Sequence, residues 1–497
     1  MATNNNNGTK LNVGIFTKVH RKVGLFFMPL LLLIVITGGL SLFRAELVHW
    51  QFPQYDVGRS HVPGIETETN NSSPRKHWQE LVDIARDEYG FSHKDFHIFD
   101  NRRFGDYIVF YNKTNKIEDM LFMDAVTGKA IDSSELTFSE TVYDMHMRLL
   151  LPSSWGKYLV GILGLLLTYL VFTGFLAHKN IRKNFYRLRL HKGRQIFTTD
   201  LHKLLGSWSL FFSGLMAITG ALLGLFGIVL IVLALAAYGG DQQALITDFL
   251  GSHPKAAGGT ADLMPLDSLY ELARQQWTGF SISTMEIHNY ADPAMRVTFE
   301  GELLNGFLTQ QHITLNAISG ETTFITDFTD KGVGGYMYSA LPSLHFASFG
   351  GIWLKLIYWF LTLVLLLVML TGMSIKSLRL RGRGFSKPDL VAVVLSETVL
   401  MASALACLFA LNANWSINPA NATTLSVITL VALIYSLVQR FVLKMLPDGM
   451  NSAAIMFAVV AVSGVFAHGV LVFTIFSTVA LTLWLSQKVA TMVEKSH

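Results

Sequence analysis

A single cysteine, Cys407, in 497 residues rules out an intrachain disulfide framework and any thiolate metal cluster built from one chain. It sits inside an apolar run, where an inert packing role is the ordinary one. Charge is scarce as well. Asp, Glu, Lys and Arg make up 15% of the chain, against about a quarter in soluble domains, so a bilayer is the solvent the composition suits. No GxGxxG follows a strand pattern, and there is no P-loop and no CxxCH. These absences exclude a recognisable nicotinamide or flavin domain, an ATPase and covalently attached haem. The long loops also lack a nucleophile triad and an HExxH pair. Any redox chemistry must therefore draw electrons from a separate cytoplasmic donor or from quinol.

What the chain has in abundance is apolar: 51% hydrophobic residues, with 35 Phe and 9 Trp. Runs at 23–43, 155–177, 204–237 and 350–373 are each long enough to cross a hydrocarbon core, which takes about 20 residues. The first has no small-residue cleavage site after it and reads as an uncleaved anchor. Residues 390–497 add Val391–Leu411, Thr424–Val438 and the long stretch Ala453–Leu485. Eight spans result if His468-Gly469 divides that last stretch, seven if it does not.

Basic residues gather in the short segments 1–22, 178–203 and 374–389, while the long loops 44–148 and 238–345 are richer in acids. The positive-inside rule then places the N-terminus in the cytoplasm and both long loops outside. The same rule accounts for the basic segments without nucleic acid as a partner.

The first three-quarters of the chain reads as a parallel repeat. His20-Arg-Lys-Val-Gly24 and His202-Lys-Leu-Leu-Gly206 open the first and third spans, and Thr37-Gly38 and Thr219-Gly220 follow at the same offset. Pro74 and Pro265 mark helix starts in the two loops. Segments 107–111 and 296–300 alternate as strands, and Asp124–Gly128 and Asn316–Gly320 read as hairpin turns. His146 and His345 lead into the second and fourth spans, which close on Thr173-Gly174 and Thr371-Gly372. The expected fold is an α-helical polytopic membrane protein. It has a four-helix core, two small periplasmic α+β domains and extra C-terminal helices.

Histidines near membrane depth are costly and point to function. Under the repeat, His20 matches His202 at the cytoplasmic face, and His146 matches His345 at the outer face. A pair related by a twofold axis can clamp one haem, whose iron takes two imidazoles. The two sites would lie about 25–30 Å apart. The competing reading is interfacial anchoring, which suits histidine and aromatics equally. His49 and His178, at other span ends, are secondary ligand candidates. They have no counterpart in the second half.

The HRKVGLFF start, the paired Thr-Gly motifs and the segments ELVDIAR…MDAVTGKAI and LYELARQQW…LNAISGETT, with DLHKLLGSW and LPSLHFASFGGIW, carry a resemblance. Over roughly residues 10–385 the chain resembles the PepSY-associated transmembrane family. That family includes bacterial iron-regulated inner-membrane proteins and ferric-siderophore reductases. The resemblance implies two periplasmic PepSY domains and two b-type haems on His20, His202, His146 and His345. It further implies a bacterial inner-membrane reductase that passes electrons to a periplasmic ferric siderophore and releases Fe(II). Two other readings stand beside it: a non-enzymatic PepSY-domain binding or regulatory protein, and an iron or siderophore transporter.

Overall fold

The structure is a computed structural model. It describes residues 13–441 except 45, 48–74, 101–106, 115–116, 132–137, 179–180, 252–253, 304–305, 329, 331, 380–385 and 412–421, together with Ser477 and Ala480. The expected division of Ala453–Leu485 at His468-Gly469 lies outside the described residues. The chain forms two compact units, one of residues 1–41, 141–224 and 359–497, the other of residues 42–140 and 225–358.

The first unit is helical. Its first run is broken into α1 (Val13–Phe26) and α2 (Met28–Ser41), which meet at 69°. Pro29 explains the break, because it lacks an N–H and its ring clashes with the carbonyl four residues earlier. α3 (Trp78–Asp87) belongs to the second unit; after α4 (Phe138–Arg148), α5 (Ser153–Ala177) is an uninterrupted apolar helix of the first. A short α6 (Ile181–Asn184) leads to α7 (Arg194–Trp208) and α8 (Leu210–Gly224), bent by 65°. The expected span 204–237 is therefore not one rod. Gly206, Ser207 and Ser209 cluster at the bend, and the Ser207 hydroxyl donates back to the Lys203 carbonyl, a pairing that bends helices.

The run 204–237 continues as α9 (Phe226–Ala237) and then α10 (Gln242–Leu250) and α11 (Leu266–Arg274). Beyond α12 (Gly332–Phe346) come α13 (Gly351–Arg379), α14 (Lys387–Leu411) and α15 (Ala422–Phe441). Within the helical unit α5 packs on α1 and α8, and α14 packs on α1, α2 and α15. Three described helices are long and apolar enough to span a membrane, and three bent pairs pass the same test together. The chain is a multi-pass membrane protein.

Small residues set the α5–α8 distance. A Cβ on Gly224 would lie 2.6 Å from the Gly161 Cα, and one on Gly164 would lie 2.8 Å from the Ala221 nitrogen. Without a hydrophobic drive in lipid, such backbone approach is what joins helices.

The second unit is built on one antiparallel sheet of eight strands. They are β1 (Phe96–Asp100), β2 (Tyr107–Thr114), β3 (Ile117–Asp124), β4 (Ala130–Ile131), β5 (Ser281–His288), β6 (Arg296–Leu303), β7 (Leu308–Asn316) and β8 (Thr322–Thr326). Their order is β4-β3-β2-β1-β5-β6-β7-β8. Two separate loop domains were expected; instead β1 pairs with β5, matching Ile98 to Met285 and His97 to Glu286. The pairing removes two unprotected sheet edges.

One face carries Phe96, Ile98, Ile108, Phe110, Met285, Ile287, Val297, Phe299, Ile313 and Leu315. It is covered by Trp78, Leu81 and Val82 of α3 and by Leu266, Leu269 and Tyr270 of α11. Asp124 and Asn316 close matching turns. Each side-chain oxygen accepts two backbone N–H bonds, and Gly128 (φ +75°) and Gly320 (φ +71°) return a bond to the first residue.

On the opposite face His312 is buried, and burial pushes its pKa from 6.5 to about 4, opposed in part by Glu286. A base whose folded pKa is depressed makes the unfolded chain bind more protons between those values. Stability is thus full above about 6.5 and falls, by an amount on the order of 3 kcal/mol, as pH drops toward 4. Glu300 has the opposite sign. Burial and Glu286 raise its pKa, so it regains some stability as it protonates on acidification. Thermal unfolding followed by tryptophan emission at pH 7 and pH 4.5 is expected to show the net loss. His312→Gln should reduce it, and an unchanged difference would contradict this assignment.

Candidate functional site

His20 on α1 and His202 on α7 are brought together edge-on, with ring centroids 6.3 Å apart and planes inclined at 67°. Each ring is held by the same device. His20 Nδ1 donates to the Leu170 carbonyl at 3.0 Å and lies 3.3 Å from the Thr173 hydroxyl. His202 Nδ1 donates to the Val368 carbonyl at 2.8 Å and lies 3.2 Å from the Thr371 hydroxyl. In both cases the carbonyl belongs to the residue three before the threonine. Each threonine also donates to its own helix, to Tyr169 and Leu367 at 2.7 Å.

A carbonyl only accepts, so the network puts a proton on Nδ1, and in the neutral ring this leaves the Nε2 lone pair free. That is the state in which imidazole ligates a metal, and a carbonyl on the other nitrogen is the usual second partner of such a ligand. Two imidazoles bound through nitrogens about 2.0–2.1 Å from one ion, on opposite sides, have centroids about 6.3 Å apart. The observed separation matches.

The glycines of the Thr-Gly pairs admit the rings. A Cβ on Gly174 would stand 3.1 Å from His20 Cε1, and one on Gly372 would stand 3.3 Å from His202 Cε1. A third pair does the same for a third histidine. His146 on α4 donates from Nδ1 to the Ile34 carbonyl at 3.0 Å, three residues before Thr37, and a Cβ on Gly38 would stand 2.6 Å from its Cε1. The sequence displays the Thr-Gly pairs but not their use. Their role as histidine seats appears only when helix packing shows which carbonyl each ring reaches.

A cavity of about 260 Å³ lies at the His20–His202 pair. Its walls are mostly apolar (Leu25, Met28, Leu31, Leu167, Leu170, Leu365, Val368), with Gly24, Gly174, Gly206 and Gly372 among them. Arg21, Lys203, Lys376 and Arg379 also line it, and Lys376 pairs with Asp389 at 2.8 Å. His178, which follows α5, lines the same cavity; both its ring nitrogens are buried without a hydrogen-bond partner among the described residues.

His345 lies on α12 in the sheet-containing unit, half-buried and edge-on to Phe346 at 5.4 Å. His49 lies outside the described residues. Among the described residues no group of three or more His, Cys, Asp or Glu side chains converges on one metal position. A donor set of two imidazoles with apolar walls, glycine seats and cations is what a flat, anionic macrocycle requires. The residues at His20 and His202 therefore fit a b-type haem.

An uncharacterized protein of Pseudomonas aeruginosa is 30% identical over 148 residues, which is 29% of this chain and 38% of the relative's length. The chain thus spans well under two thirds of the curated relative it matches. Residues 17–378, a stretch that takes in His20, His146, His178, His202 and His345, match the family described as the PepSY-associated TM region, and to that family the chain belongs.

Proposed function

We propose that the protein is a di-haem b reductase of the bacterial inner membrane. It passes electrons from a cytoplasmic donor or the quinol pool to a periplasmic ferric siderophore, and Fe(II) is released for iron acquisition. The observation that carries this reading is the His20–His202 pair, with both Nδ1 atoms on carbonyls and the rings at metal-spanning distance.

A b-type haem held there supplies one-electron transfer. The chain's own residues do the rest of the work at this site. Leu170 and Val368 hold the proton on Nδ1, and Thr173 and Thr371 keep the rings from rotating. Arg21, Lys203 and Arg379, which line the cavity, would offset the carboxylates of a macrocycle held there. A second haem is proposed at His146, whose Nδ1 donates to the Ile34 carbonyl beside the Gly38 seat in the same manner as His20 and His202. The N-terminus is placed in the cytoplasm and the sheet, read as paired PepSY domains, in the periplasm. The strand order, which runs outward from the β1–β5 junction as two matching sets, supports that reading.

Function is tested in sealed vesicles that carry the protein with its periplasmic face outward and dithionite trapped inside. External ferric siderophore should yield Fe(II), trapped by a colorimetric chelator, at a rate well above that of protein-free vesicles. Rates equal to those of empty vesicles made with haem-replete protein would overturn the reductase reading.

A further inference from the structure

One polar side chain at the cavity of the helical unit is not used by the proposed electron path. His178 caps the C-terminal end of α5, and its backbone N–H bonds to the Phe175 carbonyl at 3.1 Å. Its side chain lines the cavity, yet Nδ1 and Nε2 are both buried and neither meets a partner among the described residues. His20 and His202 differ, because each commits Nδ1 to a carbonyl. A buried donor left unmet is costly, so such groups in folded proteins nearly always have an acceptor. His178 follows Gly174, the seat of His20, by four residues and so stands one helical turn further along the same face.

The cavity around His178 decides what kind of acceptor that is. Arg21, Lys203 and Arg379 line it with Lys376, which pairs with Asp389, and no Asp or Glu stands among the described lining residues. That imbalance selects an anion. Burial disfavours the charged imidazolium, so the His178 ring is neutral and offers one N–H donor and one lone pair. The N–H is directional and supplies an orientation that charge alone lacks. His178 is not a third axial ligand, because His20 and His202 already supply the two imidazoles that clamp one iron. We infer that His178 donates a hydrogen bond to a carboxylate of the haem held by His20 and His202, and so fixes which way the macrocycle is turned. The inference rests on the haem reading of that pair and adds an orienting contact to it.

The test compares haem with haem dimethyl ester, whose two carboxylates are masked as neutral esters. Full-length protein in detergent carries His146→Ala, so that only the His20–His202 site is read, and the Soret band is titrated with each macrocycle. The protein with His178 intact should prefer haem to the ester, because a hydrogen bond to a charged acceptor is the stronger one. His178→Phe is expected to weaken haem about tenfold or more and the ester by less, so that this preference falls while the bis-imidazole bands persist. His178→Gln keeps an N–H donor and should recover part of the preference. Each variant is judged by its own ratio of the two affinities, so a general loosening of the fold cancels. No preference with His178 intact, an unchanged ratio in both His178 variants, or loss of the bis-imidazole bands in both would overturn this inference alone. Protein with His178 intact that binds neither macrocycle would overturn the haem reading with it.

Discussion

Replacing His202 by alanine is expected to remove about half of the haem from the purified protein, because one axial ligand cannot hold a non-covalent macrocycle as two do. The reasoning is specific to this seat. Without the imidazole, the Val368 carbonyl loses a donor, and the His20 ring faces open cavity instead of its partner 6.3 Å away. His20→Ala should have the same effect, and the double variant should lose no more than either single one. Non-additivity of that kind marks residues acting as one unit. His146→Ala should remove the other portion and leave the His20–His202 spectrum in place. The check is a pyridine haemochrome count on each variant, normalised to protein. Equal haem in His202→Ala and the unsubstituted protein would remove His202 as a ligand.

The second large effect is structural. Gly224→Val should prevent the helical unit from assembling. The new Cβ would lie 2.6 Å from the Gly161 Cα, 2.7 Å from its nitrogen and 3.0 Å from the Lys157 carbonyl, all of them backbone atoms that cannot rotate away. Overpacking with side chains costs about 1–3 kcal/mol, and a collision with a neighbouring backbone costs more. Because α5 carries the Leu170 carbonyl and Thr173 at its far end, parting α5 from α8 should also loosen the seat of His20. Gly214→Ala, on the same α8, has nothing within 4 Å of its new Cβ and serves as the control. Size-exclusion profiles and thermal unfolding in detergent distinguish the two. A monodisperse Gly224→Val protein as stable as Gly214→Ala would contradict the packing.

Much of this architecture could be read without coordinates because the signals are local. Runs of about 20 apolar residues fall in helices. The alternation at 107–111 and 296–300 falls in β2 and β6, and the Asp124–Gly128 and Asn316–Gly320 turns close as their glycines require. The repeat also selected the histidines to compare, and two of them, His20 and His202, meet in space.

What could not be read is non-local. Nothing in either loop says that β1 will pair with β5 across almost 190 residues, joining two expected domains in one sheet. The bend at Pro29 had a visible cause. The one between Trp208 and Leu210 rests on serine back-bonding that becomes specific only with geometry. The Thr-Gly pairs were conspicuous, yet their purpose depends on a carbonyl three residues earlier and a histidine on a different helix. His178 was a secondary candidate. Its two buried nitrogens lining the same cavity bring it closer to the site than its place in the chain suggested.

The central claim is that paired imidazoles hold haem within this chain. The most direct measurement is the reduced-minus-oxidised absorption spectrum of protein produced with ample haem, quantified by pyridine haemochrome. The account predicts b-type bands and about two haems per chain, falling to about one when His20 or His202 is replaced. A colourless protein, or a spectrum that survives replacement of both residues undiminished, would contradict it.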